Sequence, residues 1–169
     1  GNKISEVTKG YAIPKKGDEI VNLKQSYVLP GFMDMHVHLA QEYVPKAERR
    51  SKIEPEYRAL FAANAASKTL MAGFTSVRNL GDGGMETISL RDAIKEGLVI
   101  GPRIFTSGKT IATTGGHGDP TNGMPKDNYS PPSPEEGVID SPEDAKKAVR
   151  QRYKDGADGI KITATGGVL

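Results

Sequence analysis

The stretch Val28-Leu29-Pro30-Gly31-Phe32-Met33-Asp34-Met35-His36-Val37-His38-Leu39 carries more structural information than any other part of this 169-residue chain. Pro30-Gly31 reads as a turn, and residues 32–39 read as a buried β-strand that runs out into a polar stretch at 41–51. Side chains alternate along a strand, so Asp34, His36 and His38 share one face while Met35, Val37 and Leu39 share the other. Two imidazoles projecting together can hold one metal ion; they can also be two polar groups on a solvated face. The apolar flanks shift the balance toward a ligand pair, because burying two imidazoles without partners is costly.

Upstream, residues 1–29 are short, polar and turn-rich, with brief strands expected at 19–23 and 27–29. Downstream, the chain alternates. A helix is expected over 54–71, where Tyr57, Leu60, Phe61, Asn64, Ala65, Lys68 and Met71 recur at three- and four-residue steps and Gly73 ends the run. A strand at 74–78, a Gly-rich turn at 81–84, a short helix at 88–96 and a strand at 102–106 follow. Residues 107–140 are rich in Gly, Pro and Ser, and loops of that length in a compact domain are usually functional or mobile. Ser141-Pro142-Glu143-Asp144 is a helix start: a serine cap, proline in the first helical position and acids in the first turn. That helix is expected to end at Gly156, before a fourth strand at 160–163. Alternation of this kind predicts a parallel sheet covered by helices, either an open doubly wound sheet or a (β/α)8 barrel.

Lys161 stands between two isoleucines in Gly159-Ile160-Lys161-Ile162-Thr163. Strands of parallel sheets are generally buried on both faces, so a lysine there either snorkels to water or is a desolvated amine. A neutral lysine amine can add carbon dioxide and become a carbamate, a carboxylate-like ligand able to bridge two metal ions. His117, the third histidine, lies in Thr113-Thr114-Gly115-Gly116-His117-Gly118-Asp119; it could hold substrate, move a proton or be a surface loop residue. Arg78, at the end of the second strand, could bind an anionic substrate group or make a structural ion pair.

Composition removes several alternatives. A net charge of +2, with basic residues scattered, gives no electrostatic case for nucleic acid. The absence of cysteine removes disulfides, thiolate zinc sites and a cysteine nucleophile. No apolar run is long enough to span a bilayer, and no signal peptide is visible in the first ten residues. A soluble protein is expected, in the cytoplasm, the periplasm or secreted. Ser107-Gly108-Lys109-Thr110 imitates the end of a phosphate-binding loop, but Arg103 stands where its first glycine belongs. There is no G-x-G-x-x-G and no G-x-S-x-G.

Val28 to His38, containing P-G-x-x-D-x-H-x-H, resembles the first barrel strand of the amidohydrolase superfamily. Ala72-Gly73-Phe74-Thr75-Ser76-Val77-Arg78 resembles its second strand, and the run from Asp158 to Val168 resembles its fourth, with the carbamylated lysine. The stretch from Gly108 to Asp119 and the run from Asp155 to Val168 are most similar to the prolidase-like branch, which includes Xaa-Pro dipeptidases and carboxypeptidases releasing arginine or lysine.

The resemblance implies an α/β fold: part of a small β-sandwich at residues 1–29, then at residues 30–169 the first half, strands 1–4, of a (β/α)8 TIM-type barrel. It implies two divalent ions, often zinc, with His36 and His38 on one and the Lys161 carbamate bridging both. His117, counted with Lys161 as catalytic, would lie near a small peptide or amide substrate, with Arg78 a second substrate-binding candidate. The reaction implied is attack of a metal-bound hydroxide on a peptide or amide carbonyl, as in an Xaa-Pro dipeptidase; hydrolysis of a cyclic amide or imidazolone would use the same metal site. A full barrel needs about 250 residues, and the family's remaining ligands, two histidines and an aspartate, come from later strands. The expectation is a piece whose open strand edges need covering, by further residues, a second polypeptide or a second copy, and which without them is a non-catalytic fragment.

Overall fold

The computed structural model describes residues 3–11, 13–41, 53–125, 127 and 129–167. Most of the polar stretch at 41–51, and Val168 of the fourth-strand motif, lie outside the described residues. The chain divides into two units, Gly1–Pro30 and Gly31–Leu169.

The described residues of the first unit form turns, closed by Asp18 N–H to Lys15 O at 3.1 Å and Ser26 N–H to Leu23 O at 2.9 Å. They contain no strand, against the expectation for 19–23 and 27–29. The physical reason is the lack of a surface to pair with. Ile20, Val21 and Tyr27 are all exposed, and short strands without a third strand or an apolar face have little to hold them.

The second unit alternates as the sequence predicts: β1 (Phe32–Val37), α1 (Pro55–Met71), β2 (Phe74–Asn79), α2 (Glu86–Lys95), β3 (Arg103–Thr106) and α3 (Pro142–Asp155). The strands form a parallel sheet in the order β1-β2-β3. Leu39, Ala40, Val77 and Ile104 pack with Ala62 and Ala66 of α1 and Leu90 of α2 to form its core. The large apolar residues of α1 do not make this contact. Tyr57, Leu60 and Met71 are exposed, while Ala62 and Ala66 are fully buried. Close approach explains the choice. A Cβ added at Gly101 would lie 2.6 Å from Ile94 Cδ1 and 3.1 Å from Ala66 Cβ, so small residues set the spacing between helices and sheet.

Two strand expectations need correction. Residues 32–39 were expected to be buried, yet Phe32, Met33 and Met35 are at least half exposed, because among the described residues β1 pairs only with β2 and is a sheet edge. Residues 160–163 do not form a full strand. They make one bridge, Ile111 to Ile162, through Ile111 N–H to Lys161 O at 2.8 Å and Thr163 N–H to Ile111 O at 2.9 Å. β3 ends at Thr106 and the chain turns at Gly108, where φ is +60°, so the returning segment meets an interrupted partner.

Residues 107–140 are more ordered than a long loop need be. Ala112 bridges Val138, with Ala112 N–H to Gly137 O and Ile139 N–H to Ala112 O both at 2.8 Å. A 3-10 turn at Pro134–Glu136 is held by reciprocal bonds between Ser133 and Glu136. α3 starts on Ser141, whose hydroxyl accepts from Asp144 N–H at 3.1 Å, and ends at Gly156 with φ +86°. From α3, Arg152 enters the interior with 1% exposure. Its guanidinium donates to Lys109 O at 3.2 Å and to Glu135 O, and lies 3.6 Å from Asp155. Burial lowers its pKa, with the Asp155 carboxylate opposing the shift. Among the described residues no helix is long and apolar enough to cross a membrane.

Candidate active site

β1 does not run regularly into its histidines. Its register with β2 slips between Asp34 and Val37, a bulge-like break that frees the His36 N–H from the ladder. Asp34 Oδ1 accepts that N–H at 3.0 Å. The His36 and His38 rings end 5.3 Å apart, centroid to centroid. His38 Nδ1 lies 3.3 Å from Gly81 O. A carbonyl can only accept, so this contact selects the Nδ1–H tautomer and leaves Nε2 with its lone pair free. His36 has its pKa lowered, first by partial desolvation and then by the charges of Lys161, His38 and Arg78, with Asp34 opposing. The lowered pKa favours the neutral form of His36, the form that binds a metal.

A cavity of about 430 Å³ opens beside this pair. It gathers His36, His38, His117 and Lys161, four residues separated by up to 125 positions in sequence, together with Lys109, Asp82 and Glu136. Lys161 is half-buried, and its flanking isoleucines are exposed rather than packed on both faces. His117 stands on a tight loop built around Asp119. The Asp119 carboxylate accepts from Gly115 N–H at 2.9 Å and from the N–H and hydroxyl of Thr121 at 2.9 and 2.7 Å. Burial alone would raise this carboxyl, but these bonds outweigh it and hold its pKa below the usual range. Thr114 is clamped by Asp140 through its N–H at 3.1 Å and its hydroxyl at 2.6 Å. A side chain at Gly167 would overlap the His117 ring.

Arg78 is not brought into this cavity. Its Nε donates to Met35 O at 2.8 Å, and it lines a separate hollow with Met35, Phe105 and Asp158. The guanidinium is occupied in joining β2 to β1.

Sequence reasoning missed the polar group behind His38. Asn79, fully buried, accepts Leu39 N–H on Oδ1 at 2.8 Å and donates from Nδ2 to Asp82 Oδ1 at 2.9 Å. Thr87 donates to Asp82 and lies 2.7 Å from Thr106 Oγ1. The visible signal was the polar run Arg78-Asn79-Leu80-Gly81-Asp82 at the end of a strand, where alternation alone gives Asn79 no partner. Asp82 is pushed up to about 6, chiefly by burial with the Glu86 charge adding, against hydrogen bonds from Thr87, Asn79 and Thr106. A raised folded pKa means the fold retains a proton that the unfolded chain has released. The contribution of Asp82 to stability is therefore complete below the unfolded value of 3.8 and is lost as pH rises through about 6. Asp82→Asn should remove that dependence. Urea midpoints should show the wild type losing about 1 kcal/mol relative to the variant between pH 5 and pH 7.5; parallel pH profiles would show that Asp82 does not titrate in this window.

Among the described residues no three histidines, cysteines, aspartates or glutamates converge to hold a metal ion. The donors that fit are the two imidazoles and the Lys161 amine lining the same cavity, with the amine able to act only after it becomes a carbamate.

The amidohydrolase family model matches residues 27–169. The chain belongs to the amidohydrolase family. Among solved amidohydrolase relatives, an Xaa-Pro dipeptidase with methionine bound in its active site is 56% identical, with a TM-score of 0.80 over 92% of this chain and 40% of that one. A prolidase complexed with N-methylphosphonate-L-proline is 30% identical, with a TM-score of 0.64 over 90% of this chain and 41% of that one. Ochratoxinase of Aspergillus niger is 30% identical over 156 residues, 84% of this chain and 32% of the relative. The chain thus spans roughly a third to two-fifths of the length of these relatives.

Proposed function

We propose that this chain is the N-terminal part of a metal-dependent amidohydrolase barrel that cleaves a peptide bond, as an Xaa-Pro dipeptidase does. The observation that carries the reading is the single cavity holding His36, His38, His117 and Lys161. The likeness to a dipeptidase and to a prolidase with a proline phosphonate bound supports the substrate class. His36 and His38 would hold one of two divalent ions, zinc by preference, and the Lys161 carbamate would bridge to the second. The ions, when bound, supply Lewis acidity to the scissile carbonyl and to a water. The chain's own groups do the rest. Gly81 O fixes the His38 tautomer, desolvation and neighbouring charges lower the His36 pKa, and the Asp119 loop presents His117 to the substrate.

The exposed Met33, Met35, Phe105 and Ile162 would be covered by further strands of the barrel, and residues 1–29 would belong to a small β-sandwich completed elsewhere. Metal content by elemental mass spectrometry on the complete protein should give about two divalent ions per chain, with turnover of Xaa-Pro dipeptides above that of cyclic amides. A metal-free preparation that turns over dipeptides at the same rate would defeat the metal reading. Preference for cyclic amides would move the substrate class.

A further inference from the structure

The His36/His38 pair flanks the point where the β1–β2 ladder slips and resumes, so contacts beyond the ladder also hold it. The ladder resumes at Val37, opposite Asn79, and beyond it two contacts from the next turn hold His38 and Leu39. One is Gly81 O on the His38 ring. The other is Asn79 Oδ1 on the N–H of Leu39, the residue that follows His38 directly. Both come from the same turn, residues 79–82. That turn is itself fixed: Leu80 N–H donates to Val37 O at 3.0 Å, and Asn79 O accepts Ser107 N–H at 3.1 Å. Gly81 has φ +128°, a backbone conformation that other residues rarely adopt, and in it the Gly81 carbonyl meets the imidazole. The Asn79 carboxamide is oriented from behind by Asp82 and by Thr87, whose Oγ1 is 3.3 Å from Asn79 Nδ2.

We propose that Asn79 is a positioning residue for the metal-binding histidines: its buried carboxamide, set by Asp82 and Thr87, holds the His38–Leu39 backbone so that both imidazoles face one point in the cavity. An amide suits this task because the site needs an acceptor toward Leu39 and donors toward Asp82 and Thr87, and asparagine offers both at once. The proposal rests on the metal reading above for its consequence, though not for the geometry of the contact.

The test uses the complete protein and zinc alone as probe, read by competition with a chromogenic chelator. Asn79→Ala should weaken zinc binding about 10- to 100-fold, the range found when groups orienting metal ligands are removed. Ile94→Ala, which loosens the packing on Ala66 and Gly101, should lower Tm and leave zinc affinity near the wild-type value. The double exchange Asn79→Asp with Asp82→Asn keeps the acceptor toward Leu39, the bond between the two side chains and the total charge; it should restore affinity. Equal weakening by Ile94→Ala, no weakening by Asn79→Ala, or no restoration by the double exchange would overturn the proposal. A second readout, on metal-free protein, is amide exchange at Leu39 with the ring-proton shifts of His38. Both should move in Asn79→Ala and return in the double exchange. If the wild type takes up no zinc, the metal reading fails and this readout alone decides: unchanged shifts and protection in Asn79→Ala would overturn the positioning role.

Discussion

Replacing Lys161 with alanine in the complete protein should abolish turnover, a loss on the order of 10³-fold or more, because the bridging ligand proposed there would underlie several kcal/mol of charge stabilisation. Forming the carbamate would take two protons from the lysine ammonium, one to free the amine and one as Nζ bonds to the carbon of carbon dioxide, and would turn a cation into an anionic oxygen ligand. Alanine removes both the nitrogen that forms the bond and the chain that delivers it. A short carboxylic acid in the buffer should enter the vacated space and restore part of the rate, and Lys161→Arg, still cationic and unable to form the carbamate, should not respond in the same way. Steady-state rates with and without the acid settle the matter. Normal turnover by Lys161→Ala would end the bridging-ligand reading, while leaving the cavity and its histidines as described.

The second large effect is expected at Arg152, which does not itself line the cavity. Its guanidinium donates to the carbonyls of Lys109 and Glu135, tying both ends of the 109–135 excursion to α3. Arg152→Ala should lose about 3 kcal/mol or more, from carbonyls left without donors and from the space left by the side chain. Arg152→Met should recover the packing part alone, since the stem is retained and the charge is not. Urea unfolding measures the first, and limited proteolysis between residues 109 and 135 should show that segment cut first. A loss below about 1 kcal/mol would mean the excursion is held by its bridges at Ala112 and Val138 rather than by Arg152.

Most elements were legible because they depend on local pattern. The serine cap and proline before α3, the glycine after it, and the three- and four-residue steps of α1 act within a few residues of themselves. The cavity's members were legible because their types are unusual where they stand: histidines alternating on a strand, a lysine between isoleucines, a histidine among glycines. What could not be read depends on contacts far along the chain. Nothing near Asn79 shows that its partner is Leu39, 40 residues earlier, and Arg152 looks like any charged helix residue until Lys109 and Glu135 are seen to meet it. The outward row Tyr57, Leu60 and Met71 carries a further lesson. Periodicity finds a helix but does not say which face is buried, and here the available gap admits alanine where hydrophobicity alone would place leucine.

The packing pairs described for the second unit join near neighbours: β1 with β2, β2 with β3, and α1 with α2. A chain built in this way can assemble in the order in which it leaves the ribosome, each new strand docking on the one before it once the helix between them has closed the crossover. During that interval the β1 edge and the apolar face carrying Met33 and Phe105 would be the adhesive part of the nascent polypeptide. Chaperone demand should therefore depend on how long synthesis pauses after residue 106, and slowing translation there would be expected to lower soluble yield without changing the stability of the protein once made.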